Sequence, residues 1–448
     1  MSFPRYPAYK DSGVEWLGEV PDHWEAWKLA HAFGSIGSGT TPPSNEEQWY
    51  DNVGIPWVTT GELRENIIME TKKSVTNAAL DKFSALRVHP AGSLVVAMYG
   101  ATIGRLGILG IDAVTNQACC VLSTPRHLDI AFTYYWLQGF KQIIIDLFST
   151  GGGQPNINQD VVASLRIPAP GLAEQAAIAN FLDHETAKID ALVAEQERLI
   201  ELLKEKRQAV ISHAVTKGLD PSVPMKDSGV EWLGEVPAHW GVTTIKRIVS
   251  TPVTDGPHET PVFLDEGIPF VSAEAVSSGR IDFERIRGFI SLEDHRRFSQ
   301  KYIPQRDDIF MIKSGATTGV SAIVETDVEF NIWSPLAVIR CGPDVLPRFA
   351  LHFIRSRNFL EGVTLGWSFG TQQNIGMGVI ENLSIVVPPL ATQTEIVELL
   401  DKYAAQADEL IGEAEKTITI LQERRTALIS AAVTGQIDVR NLASALPA

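Results

Sequence analysis

The 448-residue chain has no excess of positive charge in any of its segments. Basic residues number 12 against 16 acidic in residues 1–170, 6 against 9 in 171–224, 15 against 20 in 225–389 and 5 against 9 in 390–448. A protein that gripped phosphate through its overall field would be basic, so any contact with nucleic acid must come from local basic faces or from a basic partner. Cysteine is scarce as well: Cys119, Cys120 and Cys341 form no CxxC. They point to neither a disulfide framework nor a zinc site, and they read as small buried hydrophobes. The opening residues carry no basic stretch followed by an apolar one, and no run of about 18 apolar residues could span a bilayer, so a cytoplasmic location without membrane contact is expected. Catalytic signatures are missing too. GxxxxGK[ST], HExxH and the NPPY or DPPF segment that methylates a flipped base do not occur, and Pro388-Pro389 lacks the flanking residues. Pro21-Asp22 with the distant Glu70-Thr71-Lys72 can be forced into a nuclease pattern, but matches this loose are common by chance.

What the chain does contain is written twice. The stretch from Gly171 to Lys217 returns between Leu390 and Gln436, with Leu172 aligned on Leu390 at an offset of 218. In the first copy Ile178, Leu182, Ile189, Leu192, Leu199, Leu203 and Val210 fall at alternating steps of three and four, with Glu185, Gln196 and Lys206 in the remaining places. In the second, Ile396, Leu400, Tyr403, Ala407, Leu410, Leu421 and Leu428 fall on the same seam. No proline breaks either copy, and Gly412 is the one interruption in the second, so each predicts a helix of about 44 residues, roughly 66 Å long. That exceeds an ordinary globular helix. A narrow apolar seam needs a partner, and the other copy is the nearest.

A second repeat is nearly identical: KDSGVEWLGEVP runs from Lys10 to Pro21 and again from Lys226 to Pro237, each followed by His-Trp at His23-Trp24 and His239-Trp240. Val14, Trp16, Leu17 and Val20 suit a packed clip whose turns are set by Gly and Pro. Between clip and helix lie about 150 residues of short strand-like runs with weaker echoes. Ile55 to Leu63 answers Ile268 to Val276, Tyr99 to Gly104 answers Ser314 to Gly319, and QPNIN from Gln154 answers QQNIG from Gln372. Two diverged copies of one domain follow. Parts that recur hold a frame, and parts that differ read different things.

The paired helix starts, Pro170 to Asp183 and Pro389 to Asp401, and the paired ends, KRQAVISHAVT from Lys206 to Thr216 and RRTALISAAVT from Arg424 to Thr434, resemble the specificity subunit of a type I restriction-modification system. The resemblance covers essentially the whole chain. It implies an α+β fold in which two similar target recognition domains are joined by two long antiparallel coiled-coil helices with internal pseudo-twofold symmetry. The segments are then 1–170 and 218–389 for the two domains, the second with its linker, 171–217 and 390–436 for the spacer helices, and 437–448 for a tail. It further implies a non-catalytic chain that holds no metal or cofactor and reads a bipartite asymmetric site in double-stranded DNA. Two modification subunits carrying S-adenosylmethionine would dock on it, and ATP-dependent restriction subunits through them.

Base readout uses Arg, Lys, Asn, Gln, Ser and Thr presented to groove edges. In the first domain the candidates are Ser38, Thr40 and Thr41 in the GSGTTPP turn, then Thr59, Thr60, Arg64, Tyr99, Thr102 and Arg105. In the second they are His258, the basic cluster Arg280, Arg285, Arg287, Arg296 and Arg297, and the loop residues Lys313, Ser314, Thr317 and Thr318. Two other classes stay open at this point: a coiled-coil scaffold that binds only proteins, which the acidic balance favours, and a stand-alone DNA enzyme.

Overall fold

The computed structural model describes residues 3–150, 155–367 and 374–443. Gln154, Gln372 and Gln373, at the heads of two of the echoes, lie outside the described residues. The chain divides into two units, residues 1–196 with 416–448, and residues 197–415.

In the first unit β-branched and apolar runs form β1 (Phe33–Ser38), β2 (Ile55–Val58), β3 (Asn66–Ile68), β4 (Leu94–Ala97), β5 (Leu106–Leu109), β6 (Val114–Thr115) and β7 (Cys119–Pro125). A five-stranded sheet has the order β1-β7-β4-β5-β3, and β2 pairs with β6 in a four-stranded sheet beside it. The run Leu94–Ala97 is buried at every position, as expected of a central strand covered on both faces. Cys119 and Cys120, adjacent on β7, point to opposite faces and join different apolar clusters. Burial pushes both thiols up to about 12, so neither is a nucleophile. Helix α1 (Ile130–Phe148) starts at Asp129, whose carboxylate accepts from the Phe132 N–H. It buries Phe132, Trp136 and Phe140 against the sheet and against α2 (Leu172–Lys217).

The second unit repeats this order with β8 (Thr254–Asp255), β9 (Ile268–Val271), β10 (Ile309–Ile312), β11 (Ser321–Ile323), β12 (Asn331–Ile332) and β13 (Leu336–Ile339). Its larger sheet runs β8-β13-β10-β11, the counterpart of β1-β7-β4-β5, and β9 pairs with β12 as β2 does with β6. The single helix α1 is here two, α3 (Pro347–Ile354) and α4 (Arg357–Leu365), broken at Ser356, which caps the second. Helix α5 (Leu390–Val433) follows and passes through Gly412 unbroken.

In the first unit the opening half of α2 lies with the closing half of α5, joined by Asp190 and Arg425 at 2.9 Å. In the second, the closing half of α2 lies with the opening half of α5, joined by Arg207 and Asp408 at 2.5 Å. The helices therefore pair antiparallel in both units. The seam differs from the spacing argued from sequence. Ile178, Leu182, Ile189, Ile396, Leu400 and Leu428 are buried, and Leu203, Val210, Tyr403 and Leu421 are half-buried. Leu192, Leu199 and Leu410 are exposed, at 51 %, 41 % and 54 %. The buried line on α2 instead follows Ile178, Ile189, Ile200 and Ile211, eleven residues apart. A strict 3.5-residue repeat drifts about 20° per heptad on a straight helix, so a seam that begins correctly ends one residue out of phase.

The clips hold the helix ends. Gly435 and Gly218 stop α5 and α2 with φ of +71° and +79°, the left-handed cap that glycine adopts without strain. A Cβ on Gly435 would lie 2.4 Å from Pro21, and one on Gly218 would lie 3.2 Å from Trp240. Each clip thus receives the end of the long helix that the chain has made in the other half of the sequence. Pro21 is part of this packing.

At the helix starts a fully buried glutamine ties each domain to its helix. Gln175 accepts from the Asp129 N–H and donates to the carbonyls of His127 and Pro170; Gln393 accepts from the Leu346 N–H and donates to Asp344 and Pro388. Replacing Gln175 with Leu orphans three backbone groups, one buried and two part-buried, at about 1–3 kcal/mol each. Denaturant unfolding of Gln175→Leu is expected to show a loss of about 3 kcal/mol or more, and a loss under roughly 0.5 kcal/mol would show that the clasp is idle.

Candidate nucleic-acid interface

The strand ends of each unit bring distant loops together. In the first, the Asn116 N–H donates to Val58 O, the Gly39 N–H to Thr115 Oγ1 at 3.1 Å, and the Met98 N–H to Ala118 O. Residues 38–41, 58–60, 98–100 and 115–118 therefore share one end of the sheets. A Cβ on Gly39 would sit 1.7 Å from the Thr115 carbonyl, so only glycine allows this approach. Gly256 repeats the pinch in the second unit, 2.1 Å from the Ile332 carbonyl. The frame is shared while the flanking side chains are not.

Ser38, Thr40, Thr41, Thr59 and Tyr99 converge on this end of the first unit. Ser38 donates to Gln159 at 3.1 Å, Thr41 donates to Gln117 Oε1 at 2.6 Å, and Trp57 donates to the Thr40 carbonyl. Thr59 is tied to Glu62, which also accepts from the Lys72 N–H. Thr60 begins the short helix Thr60–Glu62. Tyr99 pairs through its backbone with Asn156, and Thr102 donates to the Tyr99 carbonyl. Arg105 is half-buried on the turn after them. Arg64 stands apart, lining a surface groove with Asn66, Ile67 and Met69. The exposed Gln117 and its neighbour Asn116 were not singled out by the sequence. The Gln117 amide, oriented by Thr41, presents donors in a fixed direction.

In the second unit His258, Lys313, Ser314, Thr317 and Thr318 share the equivalent end. The Ser334 N–H donates to Pro257 O, the Lys313 N–H to Pro335 O, and Ser314 pairs with Asn374 as Tyr99 does with Asn156. Thr318 donates to the Gly315 carbonyl, and Thr317 is exposed. The arginines do not form one cluster. Arg287 stacks on Trp333 at 5.1 Å, and Arg297 pairs with Glu259 and Asp294 near the same end. Arg280 instead lines a groove of ≈ 960 Å³ with Lys204, Arg207 and Arg355. Arg285 and Arg296 are exposed on separate short helices. Residues 280–297 cross two short helices and a strand, which turn their side chains to different faces. Asp255, missed by sequence reasoning, sits at the centre of the basic groups. It is 5 % exposed and pairs with Lys301, Lys313 and His258.

The model of the family described as "Type I restriction modification DNA specificity domain" matches residues 21–202 and 262–419. A specificity subunit of the type I restriction enzyme EcoBI from Escherichia coli is 23 % identical over 338 residues, 73 % of this chain and 70 % of that protein. The MjaVIII specificity subunit from Methanocaldococcus jannaschii is 20 % identical over 429 residues, 94 % and 95 % of the two chains. Among solved structures, a chain from work on complex assembly and conformational transition of the type I R-M system superposes with a TM-score of 0.71 at 16 % identity, covering 93 % of this chain and 99 % of that one. The HsdS subunit from Thermoanaerobacter tengcongensis gives 0.52 at 16 % identity, over 95 % and 100 %. No helix among the described residues is long and apolar enough to cross a membrane.

Proposed function

The chain belongs to the type I restriction-modification DNA specificity family, whose members are non-catalytic DNA-recognition subunits, and from that premise we propose that it reads a bipartite, asymmetric site in double-stranded DNA. Each unit reads one half-site with the strand-end surface described above. The observation that supports this best is the contrast between frame and surface. Topology, glycine pinch and glutamine clasp are common to both units, while Ser38, Thr41, Met98 and Gln117 in one stand where Asp255, His258, Lys313 and Ser334 stand in the other. Equal frames with unlike donors suit two unlike half-sites.

Methylation comes from partners. Two methyltransferase subunits, each with its own S-adenosylmethionine, dock on the chain, and ATP-dependent restriction subunits attach through them. Exposed aliphatic residues recur on the helices at the offset of 218: Leu192 and Ile420 in the first unit, Leu410 and Leu202 in the second. Large apolar side chains repeated on an otherwise solvated face suit a repeated partner. The saturated complex is expected to have the mass of one chain plus two methyltransferases. Leu192→Glu with Ile420→Glu will leave one of them, and saturation of the unaltered chain at a single partner would refute the twofold arrangement.

The reading itself is tested by mixing labelled duplex with the chain, with and without methyltransferase subunits. Specific binding that appears when the partners are present is the expected result. A chain that never shifts DNA in either mixture is a protein-only scaffold, and one that alters DNA alone is an enzyme.

A further inference from the structure

Three basic groups meet one buried carboxylate at the strand-end surface of the second unit. Asp255 accepts from Lys301 and from Lys313, the latter at 2.5 Å, and His258 lies 3.1 Å away. Burial alone would raise the Asp255 carboxyl, yet the two ammonium groups hold it below the usual carboxylate range. Neutralising one buried carboxylate requires one cation, and Lys313, 13 % exposed, already supplies it. Lys301 is different. Its Nζ also donates to the Gly256 carbonyl at 3.0 Å, so two of its three N–H groups are fixed. The third has no partner among the described residues, and the side chain is 45 % exposed. It borders a recess of ≈ 190 Å³ lined also by Gly256, Pro257 and Asn331.

A phosphate contact draws on net charge and the release of counterions. One carboxylate offsets one of the two ammonium groups, so the cluster keeps a positive charge; what sets Lys301 apart is that two of its N–H groups are fixed, which holds the third in a set direction. That suits a hydrogen-bond acceptor on a base edge, and guanine O6 and N7 are the acceptors lysine meets most often in the major groove. In the first unit the corresponding strand ends in Ser38, whose hydroxyl is directed to Gln159, so the two surfaces differ at this place.

We propose that Lys301 reads a guanine in the half-site of the second domain, with Asp255 as its positioning residue. The proposal rests on the DNA-reading function given above. The test uses the full chain with its methyltransferase subunits on a duplex library randomised in both half-sites, sequencing the methylated fraction. Lys301→Met keeps the length of the side chain and removes the donor, while Lys313 and His258 remain on Asp255; an unchanged melting temperature confirms the fold. The preference for guanine at one position of the second half-site is expected to fall by about tenfold or more. The first half-site and the salt dependence of binding stay as they were. Asp255→Asn, which loosens the lysine without removing it, relaxes the same position to a smaller degree. Retention of every preference by Lys301→Met would overturn the proposal. So would a uniform weakening in which the salt slope drops by about one, the mark of a phosphate contact. If the unaltered complex selects a first half-site and no second one, the functional reading fails and this proposal with it.

Discussion

A chain ending at residue 224 will form a symmetric dimer and direct methylation to an interrupted palindrome, built from the first half-site and its inverse. The fragment holds one clip, one domain and one long helix. Cutting the chain removes Leu428 and Ile429, which share an apolar cluster with Ile178 and Ile189, and the second-unit residues that share one with Ile211; covering the surface left bare with an identical helix recovers several kcal/mol at roughly 25 cal/mol per Å². The polar contacts support the same outcome. Asp408 and Arg425 stand 218 residues beyond Asp190 and Arg207, so Asp190–Arg425 and Asp408–Arg207 are one pair written twice. In an antiparallel dimer of the fragment, Asp190 of each copy meets Arg207 of its mate. The helix end is also provided for. Gly218 normally docks at Pro237 and Trp240 of the second clip, and the first clip offers Pro21 and Trp24 in the same setting. Such an interface is isologous, with the same patch on both copies. Glu185, Gln196 and Lys206 are the weak points, since they were matched to the other helix. Co-expression with the methyltransferase and mapping of methylated sites decides it. A monomeric fragment, or sites that still contain the second half-site, would refute the account.

The second large effect concerns spacing. The two long helices, of 46 and 44 residues, contain no proline. Under the proposed function both units read one duplex, whose turn is about 34–36 Å. Half-site centres are therefore expected roughly one to two turns apart, with unread bases between. Inserting one base pair into that gap shifts one half-site by about 3.4 Å and rotates it by roughly a tenth of a turn. Methylation is expected to be lost. Methylation that persists across several spacer lengths would show that the helices are no ruler.

The fold was legible wherever the sequence repeats itself. The long helices, the clips and the duplicated domain all follow from periodicity and offset, which are local properties. The phase of the seam was not. Leu192 and Leu199 satisfy a heptad on paper, but an α-helix turns every 3.6 residues, so they face solvent and Ile200 takes the buried place. The docking of each clip on the other half's helix end was invisible for a different reason, since it joins residues such as Tyr9 and Gly435, 426 positions apart. At the candidate interface, glycine betrayed the turn at Gly39 because few residues allow so close an approach. Asp255 gave no such signal. Its meaning lies in Lys301 and Lys313, 46 and 58 residues away, which only the fold brings to it. The arginines of residues 280–297 misled in the opposite direction, because closeness in sequence does not place side chains on one face.

The most direct measurement is the pattern of methylated bases in DNA from cells that carry this chain with its methyltransferase subunit. A single motif of two short, unlike half-sites around a gap of fixed length is the predicted result. A continuous motif, or methylation without any motif, would contradict the assignment of one half-site to each domain.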